Sequence, residues 1–248
     1  MTVARPYILI TRPEEDAAPL AADLEKRGFK PLVAPMLSIR PIEDAAMQTR
    51  GIQGLLFTSA NGVRAFAAQS DRRGAAAWCV GAATSVVARR LGFHDVRTAA
   101  GDVESLADLV IKNVDPKQGA LLHAAGSAIA GDLSGRLSKA GFTVCRAVLY
   151  EAVPATALPE EAAAALRAGR IRAVLFFSPR TADSFVRLVE EAGLADACRG
   201  VDAVCLSEAV AESARRLPWA NVIASAQPNQ FALVTAAKEA ADQDKGAT

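Results

Sequence analysis

The stretch LLFTSANGVRAF, residues 55–66, runs from apolar residues into Thr58-Ser59-Ala60-Asn61-Gly62 and then into an amphipathic pattern. A strand that gives way to a helix across such a turn leaves backbone N–H groups without partners at the helix N-terminus, where they can hold an anion or be capped by a serine. Ser59 suits the cap and the N–H groups near Asn61 and Gly62 suit a carboxylate, and the two readings are compatible. LFFSPR, residues 175–180, repeats the arrangement, with Ser178 before Pro179 at the favoured first helical position. In VGAATS, residues 80–85, Gly81 allows close backbone approach and Thr84 offers a hydroxyl, which its own helix backbone can equally satisfy. Arg12 and Arg180 can each fork onto a carboxylate, although either one taken singly also reads as a solvated surface arginine.

Other chemistries find little support. Cys79, Cys145, Cys198 and Cys205 are widely spaced with no CxxC pair, so neither a disulfide scaffold nor a zinc site is expected, and a reduced, cytoplasmic setting fits. His94 and His123 are far apart, each in or beside an apolar run, and both read as structural. There is no GxGxxG and no P-loop. With a net charge of +1 and no basic block, nothing marks a nucleic-acid surface. No apolar stretch approaches the ~20 residues that span a bilayer, so no membrane partner is expected. The run YILIT near the N-terminus reads as a first buried strand and not as a signal peptide.

These turns need elements to hold them. Apolar runs of strand length alternate with amphipathic stretches of helix length: YILIT then EEDAAPLAADLEKRG, GLLFT then NGVRAFAAQ, AWCVG then ATSVVARRLG. That is the pattern of a parallel α/β sheet. Gly28, Gly92 and Gly141 stand where helices should end. The chain of 248 residues also repeats itself. Leu20, Leu24, Lys26, Gly28 and Phe29 recur as Leu133, Leu137, Lys139, Gly141 and Phe142; Leu56, Phe57, Ser59 and Phe66 recur as Leu175, Phe176, Ser178 and Phe185. Ala77, Cys79, Ala88, Arg89, Arg90, Leu91 and Val96 recur as Ala203, Cys205, Ala214, Arg215, Arg216, Leu217 and Val222. Two related α/β units of about 120 residues each are expected.

PLVAPMLSIRPI (31–42) and VCRAVLYEAVPA (144–155) are extended, proline-marked and long for a strand. They read as two connectors running side by side between the domains. The first domain is then discontinuous, 1–36 plus 155–248, and the second is 37–154 with the connectors. The polar tail DQDKGAT is expected to be disordered.

In order along the chain, ITRP (10–13), FTSANGV (57–63), VGAATS (80–85), Tyr150 and FFSP (176–179) resemble uroporphyrinogen-III synthase. The resemblance implies two flavodoxin-like domains with parallel sheets, related by duplication and joined by a two-stranded connector, with the active site in the cleft between them. It implies a lyase of porphyrin and haem biosynthesis that closes linear hydroxymethylbilane to uroporphyrinogen III with inversion of the last ring and no metal or organic cofactor. It also implies a carboxylate-rich substrate, which helix N-termini suit. Tyr150 would then lie near the reacting ring and donate to the departing hydroxyl, with Thr84 as its catalytic companion. Arg12, Ser59, Asn61, Gly62, Gly81, Ser178, Arg180 and Ser207 would bind substrate. A monomer is expected, with a transient contact to the preceding pathway enzyme as a further expectation.

The chain departs from that pattern twice. After LLHAAG the usual basic residue gives way to SAIAG, and CLSEAVA has Ser207 and Val210 where the second glycine–threonine turn would be. Two rival readings follow: a noncatalytic, diverged tetrapyrrole-binding or regulatory protein, and a tandem sugar or nucleotide enzyme such as a glycosyltransferase. The second lacks a dinucleotide loop and an acidic residue placed for a ribose.

Overall fold

Ile8, Leu9 and Ile10 are completely buried, as a strand covered by helices on both faces must be. The computed structural model describes residues 7–43, 45–128 and 131–243. The tail from residue 244 on, and residues 129–130 of the SAIAG turn, lie outside them. The chain divides into two compact units, one holding the residues up to Ser38 and from Val153 on, the other Ile39–Ala152.

With elements numbered in chain order, the first unit holds β1 (Tyr7–Ile10), α1 (Glu14–Lys26) and β2 (Lys30–Val33). Its later part is α6 (Glu160–Arg167), β9 (Ile171–Phe176), α7 (Pro179–Glu191), β10 (Asp202–Cys205), α8 (Glu208–Ala214), β11 (Asn221–Ala224) and α9 (Gln230–Gln243). The sheet order is β11-β10-β9-β1-β2, with every pair parallel. Counting strands within the unit, this is the doubly wound order 2-1-3-4-5. One face is closed by Phe176, Phe185 and Trp219, whose rings lie within 5.9 Å of one another, the other by Leu20, Leu24, Leu233 and Val234.

The second unit holds β3 (Leu37–Pro41), β4 (Ile52–Phe57), α2 (Ala60–Gln69), β5 (Ala76–Cys79), α3 (Ala82–Arg90) and β6 (Val96–Thr98). It continues through α4 (Val103–Asn113), β7 (Ala120–Gly126), α5 (Leu133–Lys139) and β8 (Val144–Pro154). The order is β3-β8-β7-β4-β5-β6, with β8, β7, β4, β5 and β6 parallel in succession. Phe57, Phe66 and Phe93 meet at centroid distances of 5.5–6.1 Å under one face. Trp78, Leu106, Leu121 and Leu137 fill the other.

The segment 31–42 is not one strand. It breaks between β2 and β3 at Ala34–Met36, where Pro35 has no N–H for a ladder. Ala34 and Met36 are completely buried and donate their own N–H groups to the carbonyls of Ile10 and Thr11. The segment 144–155 is one strand through Pro154 and neighbours β3 in the second sheet. Gly28 and Gly141 follow α1 and α5 at φ of 87° and 88°, the left-handed turn that lets the chain reverse into β2 and β8. No helix of the described residues is long and apolar enough to cross a membrane.

Candidate active site

In the second unit the connections from β4 and β7 run to opposite sides of the sheet, and open α/β sheets bind ligands at the carboxyl ends of such a pair. A cavity of about 420 Å³ lies there, with Thr58 and Ser59 beyond β4, His123 and Gly126 on β7, and Arg146 and Tyr150 on β8 in its wall.

Ser59 is the N-cap of α2, its backbone extended and its Oγ accepting the Gly62 N–H at 3.1 Å. That bond withdraws the Gly62 N–H from any anion, which corrects the expectation that this group faces a carboxylate. Gly62 has a packing task instead: a Cβ there would come within 2.5 Å of the Ala124 carbonyl oxygen, so a larger residue would push α2 off β7. Asn61 Oδ1 accepts from Arg64 at 2.7 Å. The Ser59 Oγ also lies 2.8 Å from the phenol oxygen of Tyr150.

Tyr150 reaches Ser59 because two features of the β7·β8 pair permit it. The register shifts between Ala125 and Gly126, setting Gly126 opposite Tyr150. Gly126 then leaves room for the ring, since a Cβ there would sit 2.8 Å from two ring carbons. Arg146, on the same face of β8, donates to the carbonyls of Gly126 and Ser127 at 2.5 and 3.4 Å.

His123 pairs through Nε2 with Thr58 Oγ1 at 3.1 Å, and its buried Nδ1 has no partner among the described residues. Burial, and after it the positive charge of Arg146, lower its pKa from 6.5 to about 4, so the ring is neutral at pH 7. Two carboxylates in the lining are engaged as caps: Asp102 accepts the Ser105 N–H at the start of α4, and Asp132 accepts the Gly135 N–H at the start of α5. The Ser105 bond holds the Asp102 carboxyl below the usual carboxylate range.

Thr84 is 4% exposed in the first turn of α3 and is not among the cavity's lining residues. At the same place after β10 stands Val210, 2% exposed, so this helix position is a core position in both units. Gly81, the N-cap of α3, is so close to Gly101 that a Cβ would lie 3.3 Å from its Cα.

The other expected binding residues lie in the first unit. Arg12 stacks on Phe177 at 4.4 Å, donates to Gln230 Oε1 at 3.1 Å and lies 3.7 Å from Asp16. Ser178 caps α7 in a reciprocal box with Thr181. Arg180 is exposed in the first turn of α7. Ser207 is the N-cap of α8 without a side-chain cap bond.

Sequence reasoning set His123 aside as structural and did not single out Arg146. The signal for the histidine was one ionisable residue in the otherwise apolar LLHAAG; for the arginine it was a four-residue spacing from Tyr150, which on a strand puts both on one face. Among the described residues no group of three or more His, Cys, Asp and Glu side chains is arranged to hold a metal ion. What the cavity offers is neutral hydroxyl donors, a neutral imidazole and a guanidinium, an arrangement for orienting and stabilising an anionic ligand.

A model of the family described as uroporphyrinogen-III synthase HemD matches residues 18–235. The uroporphyrinogen-III synthase of Chlorobaculum parvum is 26% identical over 205 residues, which cover 76% of this chain and 81% of that protein. Among solved structures, uroporphyrinogen-III synthetase from Helicobacter pylori matches with a TM-score of 0.63 at 14% identity, over 95% of this chain and 99% of that one. A mutant uroporphyrinogen III synthase from Thermus thermophilus matches with a TM-score of 0.54 at 18% identity, over 96% and 99%. At these identities the structural likeness establishes an α/β fold of mostly parallel sheets.

Proposed function

The chain belongs to the uroporphyrinogen-III synthase family, cyclising lyases of haem biosynthesis, and from that premise we propose that the β4·β7·β8 cavity receives hydroxymethylbilane and directs its closure to uroporphyrinogen III. The observation that carries this is the hydroxyl pair of Ser59 and Tyr150 at the carboxyl edge of the sheet.

The reaction asks little of acids and bases. Hydroxide leaves the terminal hydroxymethyl carbon with the push of its own pyrrole. The substituted carbon of the last ring attacks the resulting azafulvene, a spiro intermediate forms, and the ring is inverted before a proton is lost; the net loss is water. Unaided closure gives the other isomer, so the protein's contribution is geometry and electrostatics.

The hydrogen-bond chain has a direction that serves this step. The Gly62 N–H donates to Ser59 Oγ, which leaves the Ser59 proton to be donated to the Tyr150 oxygen. Tyr150 then keeps its own proton for the departing hydroxyl, polarised by the two bonds behind it. Thr84, one strand away, is the second proposed catalytic residue. Ser59, Asn61, Gly62 and Gly81 in one unit and Arg12, Ser178, Arg180 and Ser207 in the other are the proposed substrate-binding set, with the Gly62 contribution limited to fixing Ser59.

The two units are further proposed to be duplicates. Matching β7, β8, β4, β5 and β6 to β1, β2, β9, β10 and β11, as the sequence repeats do, yields the same spatial order in both sheets. Domains at 1–36 plus 155–248 and at 37–154, a two-stranded connector, a monomer, a transient contact with the preceding enzyme and a reduced, cytoplasmic setting complete the proposal; four free cysteines support the last.

The test is the isomer ratio. Freshly made hydroxymethylbilane should give mainly the type III ring with the protein and type I in a blank, and a ratio equal to the blank's would reject the synthase reading.

A further inference from the structure

Thr58 and His123 form a second hydrogen-bonded pair in the wall of the same cavity, and its direction can be deduced. His123 is 9% exposed, its Nε2 faces Thr58 Oγ1, and its buried Nδ1 has no partner among the described residues. A neutral imidazole carries one N–H and one lone pair. Buried N–H groups without an acceptor are rarer in folded proteins than under-satisfied acceptors, because the donor loses its only bond. A proton on Nδ1 would be such an orphan. The proton therefore sits on Nε2 and is donated to Thr58 Oγ1, and the Thr58 hydroxyl proton finds no acceptor in the ring.

We propose that His123 is a positioning residue that presents the Thr58 hydroxyl as a hydrogen-bond donor to a carboxylate of the substrate. The inference rests on the reading that this cavity receives hydroxymethylbilane. A carboxylate is the matching acceptor because a neutral donor gains most from a charged partner, and Arg146 in the same wall offsets the charge. The lining carboxylates Asp102 and Asp132 are turned to their helix caps. The Thr58 donor thus has a different task from Tyr150: it holds a group that does not react, and so contributes equally before and during the reaction.

That separation sets the test. With hydroxymethylbilane as substrate, Thr58→Val should raise KM about tenfold and leave kcat within about twofold, the signature of lost uniform binding. His123→Leu should do the same, the double variant should be no worse than Thr58→Val alone, and His123→Gln, whose amide N–H can replace the Nε2–H, should recover most of the affinity. The ¹⁵N spectrum of the wild-type imidazole, free of substrate, should show the proton on Nε2; this reading survives even if His123→Leu fails to fold. A proton on Nδ1, a wild-type KM in His123→Leu, or multiplied effects in the double variant would each overturn the proposal. Normal kinetics in Thr58→Val beside an impaired Tyr150→Phe would overturn it alone, whereas normal kinetics in both would remove the cavity reading as well.

Discussion

The phenol oxygen of Tyr150 lies 2.8 Å from the hydroxyl oxygen of Ser59, 91 residues away along the chain. A cap residue of one helix is thereby the hydrogen-bond partner of the one tyrosine in the cavity wall. Tyr150→Phe removes the terminal donor and should slow turnover on the order of tenfold to a hundredfold, the range of one lost hydrogen bond to a reacting group. It should not abolish turnover, because the substrate's pyrrole drives ionisation. Single-turnover rates with fresh hydroxymethylbilane measure this.

Ser59→Ala should reduce rate and stability together. It removes the acceptor for the Gly62 N–H and the donor to Tyr150, and the cap alone is worth about 1 kcal/mol. A denaturation midpoint that falls in Ser59→Ala but not in Tyr150→Phe distinguishes the two roles. Thr84→Ala, by contrast, should cost no more rate than Tyr150→Phe, since Thr84 is buried away from the cavity wall.

Gly126→Ala should reproduce the Tyr150 defect without touching the tyrosine. The new methyl would lie 2.8 Å from the ring, so the ring must shift and the bond to Ser59 is lost. The expected loss of rate matches that of Tyr150→Phe, and the combined variant should be no slower than either one.

His123 predicts a pH dependence of stability. Its pKa falls from 6.5 to about 4 in the folded protein, so on acidification the unfolded chain takes up the proton first. Stability is therefore full above about pH 6.5, falls by at most about 1.4 kcal/mol per pH unit down to about pH 4, and loses nothing further through this group below that. Urea titrations of wild type and His123→Gln across this window should differ in slope.

Asp202→Ala should destabilise the first unit by about 3 kcal/mol. The carboxylate is completely buried, 2.8 Å from Arg172 Nη1, and accepts from Asn221 at 2.8 Å. Activity per folded molecule should hold, since these residues sit at the amino ends of their strands; thermal melts beside specific activity decide it.

The strands and helices were legible in the sequence because strands buried on both faces must be apolar throughout and helices buried on one face must alternate. The Ser59 and Ser178 caps were legible for the same local reason. Long-range partners were not. Nothing in ANGV says that Gly62 lies against the Ala124 carbonyl, and nothing in LYE says that a register shift at Gly126 turns Tyr150 toward residue 59. The break at Pro35 was hidden because a proline is equally at home in a strand edge and in a turn. His123 was misjudged because an apolar neighbourhood fits a core histidine and a cavity wall alike.

The order of the first sheet has a consequence for synthesis on the ribosome. β1 lies between β2 and β9, and residues 39–152 are made between β2 and β9. At about 5–20 residues per second, one edge of β1 waits several seconds for its partner while the inserted unit can close its own sheet. Such an unpaired apolar edge is a template for joining another chain. A nascent chain arrested after β8 should therefore be protease-resistant across β4–β8 and open to cleavage at β1 and β2. Conditions that slow translation between these strands should lower the yield of folded protein without changing the stability of what does fold.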